Sequence, residues 1–361
     1  MTGRLKRAHI LRAVVLAAST ALVLAGCGAN GEPAEGDGEG SLVVGGWGGR
    51  FTKATQQFLT GPFTESSGIE VQFVDAPGEQ LARLGAMAKA NRIEWDAVDS
   101  LDPSAAFVAY HDGLAAPMPS EVRAELEKYV PADKITEYGM TYSANAFLLG
   151  CNTELAKACP KNPTEFFDLA RFPGERAMID RPLIALTFAL AADGVAPDQM
   201  FPMDLDRAFS KLETIKDSIK VWYSAGDQME QIVRDGQVSM GLLWSGRAYN
   251  VLDQGTKLEI SWDGAIYEPG QWFVVKDAKN QKAAWDLIVH IASNAEGQAK
   301  WSEEMAYGVS NLDAFKFMDE SKAKRLPDWP DNYDRSITPD FMWYAEHRVE
   351  IEKRWVEFIS G

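Results

Sequence analysis

The most constraining feature of this chain is the order in which short apolar segments and helix-like segments alternate from residue 41 onward. Residues 41–49 (SLVVGGWGG) read as a buried strand running into a glycine-rich turn, followed by a helix over 52–65. Val71–Val74 is a second strand, and residues 77–90 place Leu81, Leu84 and Met87 on one helical face. Residues 95–98 form a third strand, and a helix beginning at Pro103 follows. Strand–helix alternation of this kind predicts βαβ units and a mainly parallel sheet, an α/β protein.

The same alternation continues beyond residue 144. Strands are expected at 146–150, 176–179, 220–223, 238–244, 258–262 and 271–275. Helices are expected at 164–169, 182–192, 204–215, 226–234, 246–252 and 282–293. The remainder, rich in Trp and charge, is expected to be mostly helical, and no internal repeat is visible. The globular part is roughly 320 residues, more than one hydrophobic core usually organises, so two lobes are expected.

The first forty residues have a different character. Arg4, Lys6, Arg7 and Arg12 precede a short apolar run over 13–26, and no acid occurs before Glu32. That run is shorter than the ~20 residues of a comfortable bilayer span, and with its basic flank it describes a secretory signal. Leu24–Cys27 (LAGC) resembles the lipobox of bacterial lipoproteins, in which the Cys is acylated and becomes the new N-terminus. The expectation is a signal peptide over 1–26, lipidation at Cys27, a Gly- and Glu-rich tether over 27–40, and an extracytoplasmic protein anchored to the cell membrane.

The formal charge is −16, and the signal carries four basic residues and no acid, so the remainder is near −20. Such acidity argues against nucleic acid or an anionic membrane surface as a partner. Cys151 and Cys159 lie eight positions apart in CNTELAKAC: in an oxidising compartment they either close a small loop or remain two buried thiols. Nothing resembles zinc-ligand spacing, so neither metal nor cofactor is expected.

In open α/β sheets, ligands bind beyond the carboxyl ends of strands. Here those ends carry Trp47, Asp99 and Ser100, Asp180 and Arg181, Tyr223 and Ser224, Trp244, and Glu268. A single Trp in such a place is more often core than ligand contact; the recurrence after successive strands is what singles out the set. Aromatic faces supply apolar area and cation–π attraction, and a guanidinium can hold a carboxylate bidentately. The chemistry fits a small polar ligand between two lobes.

The ordered motifs resemble those of ABC-transporter solute-binding proteins of the spermidine/putrescine-binding group, including relatives that take γ-aminobutyrate. They are residues 45–49 (GGWGG), 95–100 (WDAVDS), 172–176 (FPGER), 235–241 (DGQVSMG), 244–249 (WSGRAY), 263–268 (DGAIYE), 278–280 (AKN) and 307–311 (YGVSN). The resemblance spans essentially the whole globular part. It implies a periplasmic-binding-protein fold of class II, two α/β lobes joined by a hinge with a ligand cleft between them. Lobe 1 would comprise 41–143 and 265–313, and lobe 2 would comprise 144–264 and 314–361.

The implied function is capture of a small amine-bearing solute, a polyamine or a γ-aminobutyrate-like amino acid, and delivery to the permease of an ABC importer by a monomer. Trp47, Ser100, Trp244, Arg247 and the segment 267–272, with Glu268 and Trp272, fall at family cleft positions. Arg247 resembles the arginine that pairs with a ligand carboxylate in amino-acid-binding relatives. One departure stands out. The family typically places an Asp two residues beyond Glu268, where this chain has Gly270. Either Glu268 meets the ammonium group, or the ligand is not a typical polyamine; Asp99, Asp102 and Asp180 are further candidates. A sugar-binding receptor would also use Trp faces, although a neutral sugar does not require Arg247. A secreted hydrolase is disfavoured, because no nucleophile elbow, metal motif or Cys–His pairing is visible.

Overall fold

A computed structural model describes residues 40–361; the expected signal, most of the tether and Cys27 lie outside the described residues. Nine strands form one sheet. They are β1 (Ser41–Gly46), β2 (Glu70–Asp75), β3 (Ala97–Leu101), β4 (Gly139–Asn152), β5 (Arg176–Ile179), β6 (Ile219–Tyr223), β7 (Met240–Trp244), β8 (Leu258–Val274) and β9 (Gly308–Val309). The sheet order is β2-β1-β3-β8-β4-β7-β5-β6, with β9 paired to β4.

The outer strands are parallel and the central ones are not. β1 pairs parallel with β2 and β3, and β5 pairs parallel with β6 and β7. Helices connect the members of each parallel set, as right-handed crossover units require. Between the two sets, β4 and β8 run antiparallel to each other along most of their length. Their outer edges are covered by β3 on β8 and by β7 on β4.

Apolar packing follows the same division. One core gathers Phe147, Phe166, Ile184, Phe188, Leu242 and Ile266, with Phe341, Ile351 and Trp355 from the C-terminal helix Phe341–Ser360. Two further cores lie at the other end of the sheet. One is built on Leu42, Phe63, Trp272, Ile288 and Trp301, the other on Leu84, Trp95, Val98 and Phe273. The helix Pro182–Ala192 illustrates why: nine of its eleven residues are buried, so it has no polar face and passes through the interior.

Three expectations about local structure change. The strands expected at 258–262 and 271–275 are one strand of 17 residues, and the strand expected at 146–150 begins at Gly139. Gly264, Pro269 and Gly270 read as turn signals, but Pro269 and Gly270 keep register opposite Ala144 and Ser143. The helix expected over 52–65 begins at Gly49, ends at Ser67, and contains a π-helical turn at Gln56–Thr60. Among the described residues, no helix is long and apolar enough to cross a membrane.

Candidate functional site

The site is built on the middle of the two crossing strands. Ser143 lies opposite Gly270 and Asn145 opposite Glu268. Residues two apart on a strand share a face, so Ser143, Asn145 and Glu268 present their side chains side by side next to Gly270.

Glu268 is nearly fully buried and forms a two-point ion pair with Arg181, whose Nη1 lies 2.8 Å from Oε2 while Nη2 faces Oε1. Arg181 caps the helix Pro182–Ala192 directly after β5, and its guanidinium lies 5.8 Å from the centre of the Phe147 ring. Burial works against the Arg181 charge, but Glu268 and Asp102 outweigh it and hold the group above its ordinary value. The Asn145 amide donates to Glu268 Oε2 at 3.2 Å and accepts from Trp244 Nε1 at 2.5 Å. Trp244 in turn stacks on Phe147 with ring centres 5.5 Å apart. Arg181, Glu268, Asn145 and Trp244 are therefore one connected unit.

The neighbouring pair carries hydroxyls. Ser100 and Ser143 share a hydrogen bond of 2.7 Å, and Trp47 Nε1 donates to the Ser100 carbonyl at 3.0 Å. Ser100 has φ of 51°, in the left-handed region that a residue with a Cβ rarely adopts, where the pairing of β3 with β8 is interrupted. Trp47 remains 36% exposed, the right disposition for a contact surface.

Other expected residues are placed differently. Tyr223 is fully buried, and its hydroxyl donates to the Leu242 carbonyl at 2.7 Å. Trp272 is also fully buried, with Tyr142 against it at 5.8 Å and Phe73 at 6.5 Å. Both belong to the buried cores, Tyr223 to the one with Phe147 and Trp272 to the one with Leu42. Asp180 accepts from Trp355 Nε1 at 2.7 Å, and the exposed Ser224 gives its backbone N–H to Gln228. Arg247 pairs with Asp227 at 2.9 Å and with buried Glu230 at 3.0 Å. Asp99 is fully buried; burial raises its carboxyl well above the usual range and the Trp272 indole offsets part of this. Cys151 and Cys159 form a disulfide with Cα atoms 5.7 Å apart.

Sequence reasoning missed Asn145, Ser143 and Phe147. All three lie in an apolar strand, and only the register against β8 shows that two of them face Glu268 and Gly270. Tyr307, quoted only within a motif, feels both Arg247 and Glu268; burial raises its hydroxyl, Arg247 lowers it and Glu268 adds to the rise.

Two α/β halves on a pair of crossing strands, with aromatic and charged side chains meeting at the crossing, define a two-lobed binding protein. Residues 59–329 match the bacterial extracellular solute-binding protein family, and the chain belongs to that family. It is 30% identical over 321 residues to the γ-aminobutyric acid-binding protein of Pseudomonas aeruginosa, covering 87% of this chain and 90% of that one. The spermidine/putrescine-binding periplasmic protein of Escherichia coli is 23% identical over 205 residues, 56% of this chain and 58% of its own length. Among solved structures, the Atu4243 GABA receptor superposes with a TM-score of 0.80 at 33% identity, covering 88% of this chain and 97% of that one.

Proposed function

We propose that this protein captures a small polar, amine-bearing solute, a polyamine or a γ-aminobutyrate-like amino acid, and delivers it to the permease of an ABC importer. The observation that carries the reading is the pairing of Asn145 with Glu268 beside Ser143 and Gly270, with Trp47 and Trp244 attached to either pair. Hydroxyls, an amide and an ion pair are then joined by hydrogen bonds to two indoles, the mixture that orients a small polar molecule. The proposed contacts are Trp47, Ser100, Arg181, Trp244 and Glu268. Arg247 is already matched by two carboxylates of its own half and supports the wall of the site.

Lobe 1 is proposed to comprise 41–143 and 265 onward, and lobe 2 to comprise 144–264 and the C-terminal helix. The last crossing, expected near Asp313, is proposed to lie beyond Met318 instead, a reading supported by the packing of Ala314, Phe315 and Met318 on Ala299 and Val309. Rotation about β4 and β8 would close the lobes on the ligand, the hinge motion usual for such proteins. The chain is proposed to be held at the outer face of the cell membrane by a lipid on Cys27, and to act as a monomer without a cofactor.

The reading is tested by following thermal unfolding with putrescine, spermidine, γ-aminobutyrate, other amino acids and neutral sugars. A ligand at 100 times its dissociation constant stabilises the folded state by about 2.7 kcal/mol. A rise with one of the amines supports the reading. A rise with sugars alone overturns the solute class.

A further inference from the structure

In the proposed lobes the chain crosses three times, along β4, along β8 and beyond Met318, and one buried carboxylate ties these segments together. We infer that Asp328, with Lys134 and Tyr267, is a hinge clasp that locks the lobe 1 side of the crossings and confines lobe rotation to a break in β8 at residues 262–265. The inference rests on the proposed two-lobed capture and adds positioning residues that touch no solute.

The clasp is centred on one oxygen. Asp328 Oδ1 pairs with Lys134 Nζ and accepts from the Tyr267 hydroxyl at 2.7 Å. Lys134, in the segment leading into β4, also donates to the Val309 carbonyl of β9 at 3.0 Å. The other oxygen, Oδ2, lies against Gly308, where a Cβ would collide with it. Tyr333, on the same segment as Asp328, donates to Asp133 at 3.1 Å and meets the Tyr267 ring edge-on at 5.1 Å. Lys134, Tyr267 and Asp328 are all buried. Successive strand residues point to opposite faces, so Tyr267 holds from behind the strand that presents Glu268 to the site.

Such a group does not part readily. Burial keeps water and salt from the pair, and separating Lys134 from Asp328 would leave two unmatched charges. The clasp therefore stays shut while the lobes move, and the rotation is absorbed elsewhere. The pairing of β4 with β8 locates that place. It runs from Gly139 opposite Phe273 to Phe147 opposite Ile266, then jumps to Leu149 opposite Ser261. Residues 262–265 fall in the jump, and Gly264 there has φ of 73°, which favours glycine. The last crossing segment bonds to β8 on both sides of this boundary. Gly264 donates its N–H to the Arg335 carbonyl at 3.0 Å, and Tyr267 donates its own to the Ile337 carbonyl at 2.9 Å. Of these two residues, Tyr267 is the one whose side chain the clasp holds.

The test reads the distance between the lobes with no ligand present. Spin labels go on Lys89→Cys and Glu213→Cys, both at exposed positions, in the chain carrying Cys27→Ser, and pulsed dipolar spectroscopy gives the distance distribution. Tyr267→Phe keeps the ring and removes the hydroxyl, so the distribution should widen. Ile184→Val, in the core around Phe147, costs a comparable amount of stability and should leave the width unchanged. An unchanged width in folded Tyr267→Phe, or equal widening in Ile184→Val, overturns the clasp. Calorimetry with γ-aminobutyrate should show binding to Tyr267→Phe weakened about threefold or more, because the competent arrangement becomes a smaller fraction of the ensemble. Wild-type protein that ignores γ-aminobutyrate counts against the solute reading alone; the distances still judge the clasp.

The wild-type protein supplies a reading that needs no variant. Amide hydrogen exchange followed by NMR should be at least about tenfold faster at Gly264 than at Tyr267, although both N–H groups bond to the same crossing segment. Equal rates, or slower exchange at Gly264, would place the flexible point elsewhere and overturn the inference.

Discussion

Gly270 faces Ser143 across the crossing strands so closely that a Cβ on it would lie 2.7 Å from the Ser143 hydroxyl, with Ser100 nearer still. The space beside position 270 is therefore closed by two hydroxyls bonded to each other. Changing position 270 alone cannot restore a carboxylate here; the serines have to move as well.

That crowding gives the first prediction. Gly270→Ala should cost about 1–3 kcal/mol of stability, as overpacking of a tight site does. Adding Ser100→Gly removes the nearest hydroxyl and suits the positive φ, so the double variant should recover part of the loss. Urea unfolding of the two single variants and the double variant measures the coupling. Additive losses would mean that the two positions do not meet.

A second prediction concerns the buried pair of Lys134 and Asp328. Lys134 also donates to the Val309 carbonyl at 3.0 Å, and Tyr267 donates to Asp328 at 2.7 Å. These bonds join β8, β9 and the segments before β4 and beyond β9. Asp328→Ala leaves the Lys134 ammonium buried without its partner and should cost about 3–5 kcal/mol. Asp328→Asn keeps an acceptor for Tyr267 and should cost less. Thermal unfolding of both variants checks the order.

Asp99 supplies a pH dependence. Its carboxyl is raised in the folded protein chiefly by burial, while in the unfolded chain it ionises near pH ~3.9. Between those two values the folded state holds a proton that the unfolded state has released, so this residue lowers stability as pH rises above about 4. Asp99→Asn should remove that slope, and its advantage over wild type should be larger at pH 7.5 than at pH 4.5. Melting curves at the two pH values decide it; an advantage independent of pH would contradict the raised carboxyl.

The proposed anchor is checked by fractionation. Cys27→Ser should move the protein from the detergent phase of cell extracts into the aqueous phase, and unchanged partition would remove the lipid from the account.

The βαβ pattern was legible because parallel strands covered on both faces read as continuous apolar runs, as Leu42–Val44 and Ala177–Ile179 do. The crossing strands were not. Pro269 and Gly270 are turn residues in isolation, and only pairing with Ala144 and Ser143 keeps them extended. Trp244 and Trp272 show the same limit at the site. Each ends or follows an apolar strand segment, but Trp244 bonds to Asn145 at the crossing, whereas Trp272 is already beneath Phe73 and Tyr142. Which indole meets solvent depends on layers contributed from elsewhere in the chain. Arg181 and Glu268 were both legible as charged groups at strand ends; their pairing, 87 residues apart, was not.

The position of β8 has a kinetic consequence. β3 pairs with β8 through Val98 and Phe273, so the sheet half begun at residue 41 lacks its inner neighbour until a segment far along the chain has been made. Pairings of such long sequence separation close slowly, because loop entropy must be overcome before any contact rewards it. A partly synthesised chain therefore cannot complete that half of the sheet until the segment around Phe273 has been made.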